Sequence, residues 1–175
     1  MKSASNSSFL NGHMKSNLAS INLHEPEFSR IKSILDTVRK ELHADIVLLV
    51  SQGGQPIVIS ESNEKFDYTS LASLAAANLA ATNGLANIVD EEEFSILVHQ
   101  GRNRSMYLAD LQKRFSLVVV FNSATTLGLV RYRVKKTIIH LEEVIQDVLK
   151  RTPEKVESPG NPDFSEEELE KLLEL

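Results

Sequence analysis

Five histidines, His13, His24, His43, His99 and His140, are the first candidates for proton transfer or metal ligation. Their spacing suits neither task. No two stand in an HExxH arrangement, which sets two imidazoles on one face of a helix, and no serine or aspartate is placed to complete a nucleophilic triad. The run Asp90-Glu-Glu-Glu93 offers oxygen ligands to a hard cation, but it has no partner ligands at a recognisable spacing and reads as a solvated loop. Gly53-Gly54 could pass for a phosphate loop. No glycine in the chain is followed by Lys and Ser/Thr in that pattern, so the pair reads as a turn. Cysteine is absent, which excludes disulfides and thiolate ligands. The inventory points away from an enzyme, a metal centre or a bound cofactor.

What remains is the chemistry of contact. Tyr68 to Gly84 is an alanine-rich helix, with Thr69 or Ser70 able to cap its start and Gly84 placed to end it. Ala72, Ala76, Ala80 and Gly84 recur every four residues and share a stripe, while Leu71, Leu74, Leu85 and Asn78 lie on a neighbouring face. A stripe without bulk lets a second backbone approach closely. The same spacing also fits an ordinary alanine-rich core helix.

The surrounding elements follow from periodicity. Phe28, Ile31, Leu35, Val38 and Leu42 form one stripe of a helix over Glu27 to Leu42, with Pro26 in its first turn. Ile46 to Val50 and Ile57 to Ile59 read as a hairpin turning at Gly53-Gly54. Phe94 to Gln100, Ser105 to Leu111 and Phe115 to Phe121 form an antiparallel meander through short turns. Leu127, Val130, Val134, Ile138, Leu141, Ile145 and Val148 define a long amphipathic helix over Thr125 to Lys150. Its first half carries Arg131, Arg133, Lys135 and Lys136, which could meet an acidic partner or form a solvated face.

The 175 residues suggest one domain, spanning 24–151, with tails. Residues 1–23 are rich in Ser and Asn, poor in large apolar side chains, and expected to be disordered. Pro153, Pro159, Gly160 and Pro162 mark 152–163 as a linker. In 164–175, Ser165 and Glu168 form a capping box, and Phe164, Leu169, Leu172 and Leu173 offer an apolar face. This segment suits a peptide that folds into a partner's groove, or a solubilising tail.

The net charge is −5. Residues 152–175 hold eight acids against two bases, a balance of −6 that leaves +1 for the rest, so the basic field expected of a nucleic-acid binder is missing. No apolar run approaches the roughly 20 residues that span a bilayer, and the start has no leader-like apolar segment. The expectation is a cytoplasmic protein without membrane insertion.

The order helix, strand, strand, helix, three strands, helix over about Glu27 to Lys150 resembles the roadblock / dynein-light-chain domain. Within it the chain is similar to the bacterial MglB-like group. The match rests on Thr69-Ser-Leu-Ala-Ser-Leu74, Asn78, Gly84-Leu-Ala86, Glu92-Glu-Phe94, Ser105-Met-Tyr107, Val118-Val-Val-Phe121, Thr126-Leu-Gly-Leu-Val-Arg131 and Val134-Lys-Lys136, with Ser158-Pro-Gly160 and the acidic, Phe-containing end. The longer Ser/Asn-rich start, Asn83 beside Gly84 and the Leu-richer tail depart from it.

The resemblance implies an α/β protein of α+β type: a five-stranded antiparallel sheet between helices, with a short C-terminal helical tail. It implies a homodimer that joins its central helices and third strands, through Leu71, Leu74, Leu85, Ile96 and Val98. It further implies that two chains bind one Ras-like GTPase of the MglA type, through Ala72, Ala76, Asn78, Ala80 and Gly84. The tail, through Phe164, Leu169, Leu172 and Leu173, would add a contact. Such a regulator would stimulate GTP hydrolysis by positioning the switch loops, without an arginine finger and without catalytic residues, metal or cofactor of its own. The other role open to the fold is a scaffold that tethers a GTPase without activating it.

Overall fold

A computed structural model describes residues 23–62 and 66–151. The expected linker and tail, including Phe164, Leu169, Leu172 and Leu173, lie outside them. The elements run α1 (Glu25–Leu42), β1 (Ile46–Ser51), β2 (Pro56–Glu61), α2 (Tyr68–Ile88), β3 (Ile96–Gln100), β4 (Arg104–Leu111), β5 (Phe115–Asn122) and α3 (Leu127–Arg151). All neighbouring strands are antiparallel, in the order β2-β1-β5-β4-β3.

The register sorts side chains into two layers, because successive residues of a strand point to opposite faces. The row Val98, Tyr107, Val119, Val47 faces the side covered by α1 and α3. The next row, Leu97, Leu108, Val118, Leu48, Ile59, faces α2. Five strands at about 4.8 Å spacing make a sheet roughly 20 Å wide, room for two helices at about 10 Å apart. One face has two. Among the described residues, the other has α2 alone.

Local chemistry sets the ends of α1. Pro26 and the acids Glu25 and Glu27 occupy its first turn, with Arg39 and Lys40 in its last. It closes through Ala44 N–H to Arg39 O (3.0 Å) and His43 N–H to Lys40 O (3.2 Å), with His43 in the left-handed region at φ 48°. A side chain there is strained. His43→Gly is expected to stabilise the fold by about 1 kcal/mol, readable as an upward shift in thermal midpoint of a few degrees.

The cap of α2 is Asp67, two residues before Thr69 and three before Ser70. Asp67 Oδ1 accepts the Ser70 N–H at 3.0 Å, and the Ser70 hydroxyl donates to Asp67 Oδ2 at 2.6 Å. These bonds from Ser70 hold the carboxyl below its usual range. The cap therefore stabilises fully above the ordinary carboxylate value of about 3.9, and this is lost as pH falls through the lowered one. Asp67→Asn is expected to flatten that part of the acid-unfolding curve. Nor does Gly84 end the helix, which runs on to Ile88. Packing outweighs the cost of roughly 1 kcal/mol for one interior glycine. The strand expected from Phe94 begins at Ile96.

At one end of the sheet, buried Asp45 gathers three strands. Its Oδ2 accepts from Arg104 Nε at 3.0 Å and its Oδ1 from Asn122 Nδ2 at 2.9 Å.

Candidate functional site

Within the described residues no group of acids and histidines is placed to hold a metal ion. Four histidines sit on separate elements: His24 before α1, His43 after it, His99 on β3 and His140 on α3. No described helix is long and apolar enough to cross a membrane. The candidate surfaces are those of α2 and the sheet edges.

An α-helix turns about 100° per residue, so each four-residue step overshoots a full turn by about 40°. The small-residue stripe therefore winds around α2. Ala72 is fully buried against the sheet, Ala76 is half-buried and Ala80 is exposed. A Cβ added at Gly84 would meet nothing within 4 Å. The face that packs on the sheet is Ala72, Ala75, Leu79, Thr82 and Ala86, at steps of three and four. Ala72 thus cannot touch a partner, and the contact surface expected from it is corrected to core.

Ala76 has an internal duty as well. Gly54, at φ 79° in the β1–β2 turn, lies so close to α2 that an added Cβ would stand 2.8 Å from Ser73 Cα and 3.5 Å from Ala76 Cβ. Ser73 Oγ donates to Gly54 O at 3.2 Å, tying turn to helix. Gly54→Ala combines left-handed strain with a clash against backbone and is expected to cost roughly 2–4 kcal/mol. Urea unfolding should show it as a lower midpoint.

Beyond Ala76 the same flank opens on a groove. Ala76, Ala80 and Asn83 form one wall, and Asp110, Lys113 and Arg114 at the β4–β5 turn the other. Asp110 Oδ2 accepts the Lys113 N–H at 2.9 Å. Burial pushes the Asp110 carboxyl above its ordinary value, with nearby Glu93 adding to the effect. Lys113 Nζ reaches Glu93 at 3.2 Å, so the acidic loop is tied to this turn.

The opposite side of α2 is apolar and open. Leu74, Leu85 and Ile88 are 64%, 57% and 77% exposed, with exposed Ala77 and Ala81 between them. Asn78 is exposed on this side too, away from the groove, and its Nδ2 donates to Leu74 O at 2.9 Å. Leu71 is half-buried against the α2-side core and lines a hollow with Met106, Phe66 and His99. The expected contact set of Ala76, Asn78, Ala80 and Gly84 is therefore divided between two sides of the helix.

The two sheet edges differ. An exposed edge presents unpaired N–H and C=O groups that invite another strand, and proteins blunt such edges with proline, lysine or bulges. β2 begins at Pro56 and carries a register shift opposite Leu49/Val50. β3, Ile96-Leu-Val-His-Gln100, has none of these devices and pairs with β4 without irregularity. The parity of β3 refines the expected interface. Val98 packs towards α1 and α3, and Ile96 shares its face, whereas Leu97 packs towards α2. Ile96 and Val98 thus sit on the opposite side of the sheet from Leu71, Leu74 and Leu85.

Sequence reasoning missed Ala77, Ala81, Ile88 and Leu97. The signal was present, since Leu74, Ala77, Ala81, Leu85 and Ile88 step by 3, 4, 4 and 3. The more conspicuous fourfold alanine spacing hid it.

The Roadblock/LC7 domain model matches residues 31–121. Among solved structures, Myxococcus xanthus MglB aligns with 39% identity and a TM-score of 0.69, over 74% of this chain and 98% of that one. The gliding protein MglB of Thermus thermophilus aligns with 27% identity and a TM-score of 0.69, over 73% and 97%. An MglB with a tetrameric arrangement gives 28% identity and a TM-score of 0.71, over 74% and 98%. No curated protein sequence matches the chain significantly.

Proposed function

The chain belongs to the Roadblock/LC7 domain family, and from that premise we propose that it is a homodimeric regulator of a Ras-like GTPase of the MglA type. The observation that carries the dimer is the unfinished α2 layer beside the unguarded β3 edge. A second copy added across β3 continues the sheet, and its α2 fills the vacant half of the layer. Leu74, Leu85 and Ile88 then leave water together with the partner's equivalents.

Two copies of α2 side by side form a platform for one GTPase. The half-open flank of Ala76, Ala80 and Gly84 beside the β4–β5 turn admits close approach to the helix, because Ala76 and Ala80 project only methyl groups and Gly84 has no side chain. The chain contributes no catalytic group. Its role is to hold the GTPase's switch loops so that the attacking water and charge-stabilising groups are already in place, which lowers the barrier through positioning. The similarity to MglB, one of whose solved forms is called a gliding protein, supports a role in bacterial polarity or surface motility.

Phosphate release by the cognate GTPase tests this. Two equivalents of the purified chain should accelerate it several-fold or more. Binding without acceleration would favour a non-activating scaffold, and absence of binding would remove the reading.

A further inference from the structure

Away from α2, on the other side of the sheet, the outer surface of α3 holds three large apolar side chains in water. Leu129, Tyr132 and Ile139 are 40%, 53% and 52% exposed. Steps of three and seven place them on one line of the helix. Lys136 lies on the same line, its ammonium 4.6 Å from the Tyr132 ring centre, and the Arg133 guanidinium is 5.9 Å from that ring. Lys135 borders the line on one flank, and Arg133 with His140 borders it on the flank towards α1. From Glu142 onward the helix turns acidic, with Glu143 and Asp147, so the basic and apolar strip is confined to its first half.

The chain carries a segment complementary to this strip in both charge and pattern. Residues 164–175 contain five glutamates and one lysine, with Phe164, Leu169, Leu172 and Leu173 at helical spacing. The reach suffices. Lys136 lies roughly 22 Å back along α3 from Arg151 at about 1.5 Å per residue. Residues 152–163 can extend about 40 Å at about 3.3 Å per residue.

We propose that residues 164–175 dock on the outer face of α3 of their own chain, apolar side on Leu129, Tyr132 and Ile139, glutamates towards Lys135 and Lys136, since Arg133 is already paired with Glu41 of α1 at 3.3 Å. The mode is an amphipathic helix laid on an apolar strip, with charge setting its position. It does not depend on the GTPase reading, because α3 and α2 lie on opposite faces of the sheet. A docked segment is withheld from other partners, so any protein that binds it must first displace it from α3.

The full chain can test this directly. It has no cysteine, so Glu174→Cys takes a single spin label. The expected result is loss of amide NMR signals from Tyr132 to Ile139 in the labelled protein. Signals should return on adding high salt, with Lys135→Glu plus Lys136→Glu, or with Leu172→Ser plus Leu173→Ser. Lys135 and Lys136 are exposed, so substituting them leaves the described core untouched, and Leu172 and Leu173 lie outside the described residues. Undiminished α3 signals would overturn the proposal, and so would loss confined to α2 or β3. A mixture of spin-labelled unenriched chain and unlabelled enriched chain should keep its α3 signals. Loss there would assign the docked segment to another copy and overturn docking within one chain.

Discussion

Leu74→Glu and Leu85→Glu variants are expected to sediment as monomers at concentrations where the parent chain is a dimer. Burying a leucine side chain is worth about 1.5–3 kcal/mol. In a twofold interface each substitution acts twice, and the new carboxylates would have to leave water unpaired. A loss of roughly 4–6 kcal/mol corresponds to a Kd weakened by on the order of 10³ to 10⁴. Both side chains are exposed in the single chain, so helicity and thermal unfolding of the protomer should change little. The control is Ile139→Glu, on the far side of the sheet, which should leave the dimer intact. Dimers that persist in both α2 variants would remove the α2–β3 surface from the assembly.

Ala80→Arg is expected to leave the dimer in place and to weaken binding to the GTPase by on the order of a hundredfold, equivalent to about 3 kcal/mol of contact, with stimulation lost at concentrations where the parent chain stimulates. The methyl group of Ala80 sits at the open flank of α2 in the groove with Asp110, Lys113 and Arg114. A guanidinium on a long stem there holds an approaching backbone away. Ala72→Arg provides the contrast. It places a charge in a fully buried position beneath α2 and should unfold the chain rather than silence it. Phosphate-release rates, read beside sedimentation and circular dichroism, separate the two. Undiminished stimulation by Ala80→Arg would exclude this flank as the contact.

The Ala72 and Ala80 pair also shows where sequence stopped being informative. The order of elements was legible because each apolar pattern had one dominant period, such as Ile31, Leu35, Val38 and Leu42 on α1 or the run Leu117 to Phe121 on β5. The turn at Gly53-Gly54 was legible from turn chemistry. α2 was ambiguous because it has little to distinguish its faces. Alanine occurs at buried Ala72 and Ala75, half-buried Ala76, and exposed Ala77, Ala80 and Ala81 alike.

By itself the sequence determined an α+β chain, with five strands and three helices among the described residues, no thiol chemistry and an acidic end set apart from a nearly neutral body. Those properties are local or additive, fixed by periodicity, turn residues and composition. Only the tertiary structure decided which alanines are core, that the β1–β2 turn occupies the flank beside Ala76, that β3 is the undefended edge and that α3 exposes an apolar strip. Each of these depends on what packs against the residue from elsewhere in the chain. A side chain as small as alanine carries almost no record of that neighbour.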